Sequence, residues 1–401
     1  MTMIDTTKWE RKEYELTCIS PIHIGNGEVY KAYEYYYDQY NRMVYFLDPV
    51  KWAAFLAEKG LLDAYAEDVG KSRVYLKRWL DSRIERGPAL QTVPKMAFSS
   101  SRVYLFSDNK RSVNDIVRQQ RDVYGYPVIP GSSLKGVIHL AIRWHLICRN
   151  PEKYRDLWPE IQSAVGQRNR REVQVRIRNL TARLENRTVN VLHLTSEKGK
   201  DALNSVMRGI RISDAHLVVK KRDTVLIQKL DAIFKKKKGY GRAAVEPEGH
   251  TLSVFRECIP SRSKYRFTIT LDQGIVQRIG LSSLRELWQW VREYTQAGIL
   301  MQEKVFGQDF STEFAEAKTA DLLLGGGTGF LSKTVLYALA SNQKEGQQTL
   351  AKYLDKAFSR KQQPDHYHLR DDQELTPRTV KLARFGQERW LMGLASVKEV
   401  K

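Results

Sequence analysis

The apolar positions change period along the chain. Over 13–20, Tyr14, Leu16 and Cys18 alternate with Glu15 and Thr17, the two-residue repeat of a half-buried strand. A loop with Gly25 and Gly27 follows, and residues 30–37 and 43–47 predict a hairpin turning over 38–42. Asp48 stands where a helix cap belongs, ahead of Trp52, Phe55 and Leu56, and Gly60 closes that helix. A second amphipathic helix is predicted over 71–85, ended by Gly87 and Pro88, and 90–124 reads as an irregular, basic insertion. Beyond Pro130 a helix is predicted to bury Leu134, Ile138, Ala141 and Ile142, and a basic helix follows over 168–187. Strands are predicted at 210–219, 225–230, 251–257 and 265–271, and a helix at 282–296. Residues 321–324 read as a strand running into a glycine-rich loop and another helix, and the tail adds a helix over 347–358 and strands near 379–382 and 390–394. This alternation with interspersed hairpins predicts an α+β fold built on ferredoxin-like, RRM-like β-α-β-β-α-β units. We expect a larger part over 1–260 with insertions and a smaller α+β part over 261–401 with the glycine-rich loop and a helical extension.

Charge narrows the partners. The 401 residues hold 66 Lys+Arg against 46 Asp+Glu, a formal net charge of +20. Self-repulsion on that scale is relieved by a polyanion, nucleic acid before an anionic membrane. No run approaches the roughly 18 apolar residues of a membrane span, and the first eleven residues show no apolar signal core. Cys18, Cys148 and Cys258 are far apart and odd in number, so neither a disulfide framework nor a zinc knuckle is expected. A cytoplasmic setting without membrane contact fits.

Two segments suit a phosphate backbone. Gly131, Ser132 and Ser133 precede Lys135 at a predicted helix start, and Gly325, Gly326, Gly327 and Gly329 precede Ser332 and Lys333. Glycines let a phosphate approach backbone N–H groups at a helix N-terminus, and lysine adds a full charge. Neither is a nucleotide P-loop, because Phe330, Leu331 and Ser332 separate Gly329 from Lys333. The span 168–242 holds 20 Lys+Arg against seven Asp+Glu, a surplus of 13 in under a fifth of the chain. Within it Lys235, Lys236, Lys237, Lys238 and Arg242 flank two glycines and Tyr240, the composition of a loop that orders on RNA.

Catalytic chemistry is thinly represented. His23, in the loop with Gly25 and Gly27, is the one candidate general base, with Asn26 and Tyr30 near it in sequence. His366 and His368 form the only HxH, without the further ligands zinc needs, and read as a surface loop. No catalytic residues, metal or cofactor are expected. Alternation would put Tyr33, Tyr35 and Tyr37 on one strand face, with Tyr36 and Tyr40 beside them, for packing as readily as for base stacking.

Taken in order, five segments resemble the RAMP superfamily of CRISPR-associated RNA-binding proteins: Ser20-Pro-Ile-His-Ile-Gly-Asn-Gly27, Ile129-Pro-Gly-Ser-Ser-Leu-Lys-Gly136, Ile212-Ser-Asp-Ala215, Glu257-Cys-Ile-Pro-Ser-Arg-Ser-Lys-Tyr-Arg-Phe267 and Gly325-Gly-Gly-Thr-Gly-Phe-Leu-Ser-Lys-Thr334. The length, the last motif and the C-terminal extension are most similar to the fifth-subunit family of type III-A Csm effector complexes. Ser261, Arg262 and Ser263 depart from that family's usual Pro-Gly-Thr. The resemblance implies a non-catalytic subunit that caps the 3′ end of the CRISPR guide RNA, serves its maturation and antiviral defence, and packs against Csm backbone subunits. It implies RNA contacts from His23, Gly25, Gly27 and both glycine-loop segments. Two other functions compete: a metal-independent processing endoribonuclease acting through His23, and a module that recruits host ribonucleases.

Overall fold

The computed structural model describes residues 9–71, 74–84, 86–105, 113, 115–196, 201–235, 244–246, 251–358, 367–372, 374–385 and 388–400. Its strands are β1 (Trp9–Cys18), β2 (Gly25–Tyr30), β3 (Tyr35–Asp38), β4 (Met43–Leu47), β5 (Ala97–Tyr104), β6 (Ile116–Gln119), β7 (Ile210–Ile212), β8 (His216–Leu217), β9 (Thr224–Lys235), β10 (Ala244–Glu246), β11 (Thr251–Cys258), β12 (Lys264–Asp272), β13 (Leu322–Leu323), β14 (Thr379–Phe385), β15 (Glu388–Leu391) and β16 (Leu394–Glu399). Its α-helices are α1 (Pro49–Glu58), α2 (Leu62–Lys71), α3 (Leu76–Asp81), α4 (Arg86–Met96), α5 (Gly131–Arg149), α6 (Leu157–Gly166), α7 (Arg170–Thr188), α8 (Gln273–Val276), α9 (Leu284–Phe306), α10 (Ser311–Ala317), α11 (Leu336–Leu339), α12 (Gln343–Ala357) and α13 (His368–Asp371). The fold is α+β.

Two sheets organise the described residues. The first runs β13-β16-β1-β12-β7, with β8 also on β12. The alternation read in β1 holds: Tyr14, Leu16 and Cys18 are buried, and β1 lies antiparallel between β12 and β16. Helices α5 and α9 cover this sheet. Leu134, Ile138, Ala141 and Ile142 of α5 meet Leu287, Trp290, Val291 and Tyr294 of α9 in one buried cluster with the strand side chains. The second sheet runs β2-β6-β11-β9-β5-β4-β3, extended by β10, β14 and β15. Both ladders join residues on either side of 260/261: β1 pairs with β12 and β16, and β9 pairs with β14.

The structure redraws several predicted elements. The helix expected over 71–85 is interrupted: α2 ends at Lys71, Tyr75 is extended, and α3 begins at Leu76. The break lets Leu76 N–H donate to the Ala32 carbonyl (3.1 Å) and turns Leu76, Trp79 and Leu80 onto Trp52 and Leu56. Gly87 and Pro88 do not end a helix but lie in the first turn of α4, where an N–H has no helical partner to lose. The segment 90–124 is no irregular insertion, because it contributes β5 and β6 to the second sheet. Tyr35 and Tyr37 share one buried cluster, whereas Tyr33 precedes β3 in a turn and packs with Tyr36 on the other. Among the described residues the tail carries three strands rather than two.

The departure at Ser261–Ser263 falls in the connection from β11 to β12. Arg262 has φ of 65°, a left-handed value that glycine adopts freely, and its N–H donates to the Cys18 carbonyl (2.6 Å).

Candidate nucleic-acid interface

The loop after β1 is fixed from both ends. Ser20 Oγ accepts from Leu394 N–H (2.9 Å), Ile22 bridges Ile259, and Ile24 N–H donates to Gln119 Oε1 (2.9 Å). His23 is only 3% exposed, and its Nδ1 lies 2.7 Å from the Glu257 carbonyl oxygen, so Nδ1 carries the proton and donates. Burial pushes its pKa down to about 4 against that hydrogen bond, helped by the charges of Arg256 and Lys333. A neutral, enclosed imidazole with a structural hydrogen bond is a poor general base. Gly25 and Gly27 lie beyond it on exposed backbone.

The glycine-rich segment docks on this loop. Gly326 N–H donates to the His23 carbonyl (2.7 Å). At Gly325 φ is +88°, and a Cβ would stand 2.2 Å from the His23 carbonyl oxygen, so both conformation and space require glycine there. Two expected loops, far apart in sequence, therefore form one structure. Gly327 and Gly329 are half-buried, and their N–H groups make no hydrogen bond among the described residues. Ser332 is buried, its hydroxyl within bonding distance of Thr328 Oγ1 (2.8 Å) and the Gly329 carbonyl (3.0 Å), where it staples the loop. Lys333 does not open a helix as expected: it closes a single 3-10 turn, Leu331–Lys333, and α11 beyond it has four residues. The lysine side chain reaches solvent, yet the protein around its stem and the Arg256 charge hold its ammonium below the usual lysine range.

Arg256 completes the site. Its Nε is 3.9 Å from where a Gly326 Cβ would be. Nη1 is buried with no hydrogen-bond partner, and the guanidinium forms no ion pair with any described residue. A buried, unsatisfied cationic donor is costly. Beside open glycine N–H groups and Lys333, it makes a seat for an anion with several oxygens.

A buried network holds this seat from beneath. Glu257, fully buried, accepts from Gln119 N–H (2.9 Å) and Thr224 Oγ1 (2.9 Å) and pairs with Arg121. Arg121 also donates to the carbonyls of Gly125 (2.7 Å) and Arg222 (2.8 Å). Sequence reading missed Arg256, Glu257, Arg121 and Gln119. The available signal was two adjacent charges in β11 between buried Phe255 and Cys258, since charge inside an apolar strand needs a partner.

The other expected contacts fall elsewhere. Gly131 begins α5, and its N–H donates to Asp214 Oδ1 (2.8 Å), so a carboxylate of the Ser213-Asp214-Ala215 segment already caps this helix. A Cβ on Gly131 would lie 2.4 Å from the Ile212 carbonyl oxygen. Ser132 is exposed and Ser133 half-buried, and Lys135 has its pKa lowered by burial and by Arg211. Lys235 ends β9, its backbone paired with Ala244, while Lys236, Lys237, Lys238 and Arg242 lie outside the described residues. In α7, Arg176, Arg183 and Arg187 are neutralised by Glu172, Glu160 and Asp156, while Arg170, Arg171 and Arg178 have no ion pair among the described residues. His368 is not on a surface loop: it is buried with Nδ1 2.7 Å from Asp372 Oδ2, and His366 lies outside the described residues.

The RAMP superfamily model matches residues 15–330, from β1 through the glycine-rich loop. The chain belongs to the RAMP superfamily. Among curated relatives, the "CRISPR system Cms protein Csm5" of Streptococcus thermophilus is 27% identical over 332 residues, covering 80% of this chain and 78% of the relative. The protein of that description from Mycobacterium tuberculosis is 24% identical over 370 residues, covering 87% and 88%. The RAMP architecture recurs in a chain of the cryo-EM structure of a type III-A Csm–crRNA–target RNA ternary complex (TM-score 0.64, 18% identity, 96% of this chain and 100% of that one). The crystal structure of T. onnurineus Csm5 aligns with a TM-score of 0.53 at 15% identity, over 80% of this chain and 92% of that one. Among the described residues, no helix of this RAMP chain is long and apolar enough to cross a membrane.

The state of His23 has a measurable consequence. The unfolded chain protonates this imidazole near pH 6.5, whereas the native site keeps it neutral down to about 4. Between those values the unfolded state binds the extra proton. Stability is therefore full above pH 6.5 and falls as pH drops through the window, by about 3 kcal/mol at its acid end. Urea midpoints between pH 7 and 4.5 are expected to fall more steeply for the wild type than for His23→Asn, whose Nδ2–H can replace the Nδ1 donor. Equal slopes would show that His23 is not the titrating group.

Proposed function

We propose that this chain is the Csm5-type subunit of a type III-A CRISPR effector complex, holding the 3′ portion of the guide RNA through its phosphates without cutting it. The observation that carries the reading is the unpartnered Arg256 guanidinium, set with Lys333 against the joined glycine loops. Such a seat grips a backbone and reads no base, which suits a subunit that must accept guides of any sequence. The net charge of +20 and the Csm5 relatives support the same reading. As part of such a particle the chain would pack against the Csm backbone subunits and serve guide maturation and antiviral defence. A His23 endoribonuclease is disfavoured by the enclosed, neutral imidazole.

If about five phosphates are engaged, log affinity for single-stranded RNA should fall with log salt at a slope of about −3 to −4. Filter binding of the full chain between 50 and 300 mM salt (roughly the range over which counterion release is read), with guides of unrelated sequence, checks this. A flat salt response, or a strong preference for one sequence, contradicts it. Cleavage of guide precursor in EDTA, abolished by His23→Ala, would contradict the non-catalytic part.

A further inference from the structure

A cavity of about 270 Å³ opens beside Lys333, among α5, α6, α7, α11 and α12. That is close to the lower end of small-ligand pockets, about 300 Å³. Its walls are largely aliphatic, with Leu180 and Leu184 of α7 and Leu336 and Leu339 of α11, and Phe330 and Tyr353 add aromatic surface. Two cations share it. Lys333 lines it and also belongs to the phosphate seat. Arg143, 7% exposed, lines it too; one end of its guanidinium pairs with Glu185, while its Nε is buried without a hydrogen-bond partner.

The geometry points to this cavity as the socket for one unstacked nucleobase of the bound RNA, whose neighbouring phosphate lies on Arg256 and Lys333. This rests on the RNA-binding reading above. Phe330 joins the two halves: it follows Gly329 in the phosphate loop and its side chain lines the cavity. A nucleotide has the matching division, an anionic end for the cations and a flat, largely apolar ring for the walls. An aliphatic side chain from a neighbouring subunit would fill the walls and leave Arg143 Nε unsatisfied. A base satisfies it, because every base carries an acceptor on its edge. Helix α7, which lines the cavity through Ile177, Leu180, Thr181 and Leu184, also carries Arg170, Arg171 and Arg178 without ion pairs among the described residues, a charge that suits RNA. Largely apolar walls with few polar groups select for a base without selecting which.

The test walks a single abasic site along the 3′ portion of a guide RNA bound to the full chain. One or two positions are expected to lose about 5-fold or more in affinity, the value of one stacked base. Thr181→Trp, at an exposed position of α7 on the cavity's rim, should abolish that sensitivity and leave the salt slope unchanged. In the unsubstituted protein, 4-thiouridine at the sensitive position should crosslink to Phe330 or Tyr353, which keeps the test independent of how Thr181→Trp folds. RNA binding with a normal salt slope and no sensitive position overturns the socket alone. An abasic profile unchanged by a folded Thr181→Trp, or crosslinks only elsewhere, also overturns it. A chain that binds no guide RNA overturns the RNA-binding reading and the socket with it. If Thr181→Trp binds RNA like the wild type but no longer enters the complex, the cavity seats a protein neighbour and the socket is wrong.

Discussion

Replacing Glu257 with alanine is expected to destabilise the protein by about 3–5 kcal/mol, the penalty for leaving one member of a buried ion pair without its partner. Glu257 is fully buried, and its carboxylate answers the Arg121 guanidinium, the Gln119 N–H and the Thr224 hydroxyl. Its removal leaves three donors short of an acceptor in a site water reaches poorly. The Glu257 carbonyl also receives the His23 Nδ1 proton, and Gln119 Oε1 receives the Ile24 N–H. The damage should therefore spread to the loop that carries the glycine-rich segment. Glu257→Gln, which keeps the shape and an acceptor oxygen, should cost less. Urea unfolding of the three proteins at pH 7 gives the comparison, and a loss below about 1 kcal/mol for Glu257→Ala would show that the network does not hold the site.

Substituting both seat cations, Arg256→Met with Lys333→Met, is expected to weaken guide RNA binding by about 10- to 100-fold. Each charge-assisted contact to a phosphate is worth about 1.5–3 kcal/mol, and the two share one anion, so their effects do not add in full. Stability should move the other way. Arg256 Nη1 is buried without a partner, and methionine keeps most of the side chain's apolar bulk while removing the unmet donor. Arg256→Met alone should leave the melting temperature unchanged or raise it while affinity falls. A residue kept for packing shows the opposite pattern, with both declining together. Affinity by filter binding and thermal unfolding on the same preparations separate the two.

Much of the fold was legible because the periodicities are local. The alternation of β1, the buried face of α5 and the Asp48 cap, which accepts from Val50 and Lys51 N–H, are each set by residues a few positions apart. Reading failed where distant contacts overrule local pattern. The break between α2 and α3 follows from the hydrogen bond of Leu76 to Ala32, and β5 becomes a strand by pairing with β4 and with β9, more than a hundred residues onward. The site divides in the same way. Glycine at 325 is legible as a loop residue, but that it faces the His23 carbonyl belongs to the packing of two loops about three hundred residues apart. Arg256 is one of 66 basic residues, and although two adjacent charges in an apolar strand call for partners, only the fold shows that Glu257 finds them and that Arg256 Nη1 is buried without one. Asp214 shows the converse: a helix start that reads as an anion site is already capped by a carboxylate from the connection between β7 and β8.

The account is tested most directly by neutralising single phosphates in the guide. A methylphosphonate walked along the 3′ portion removes one charge at a time and leaves every base in place. In the complex assembled with the full chain, a short run of linkages is expected to weaken binding of this subunit by about 10-fold each. The same substitutions should have little further effect when the subunit carries Arg256→Met with Lys333→Met. Uniform tolerance of the neutral linkages, or an unchanged pattern in the doubly substituted protein, would contradict a guide backbone held between Arg256, Lys333 and the joined glycine loops.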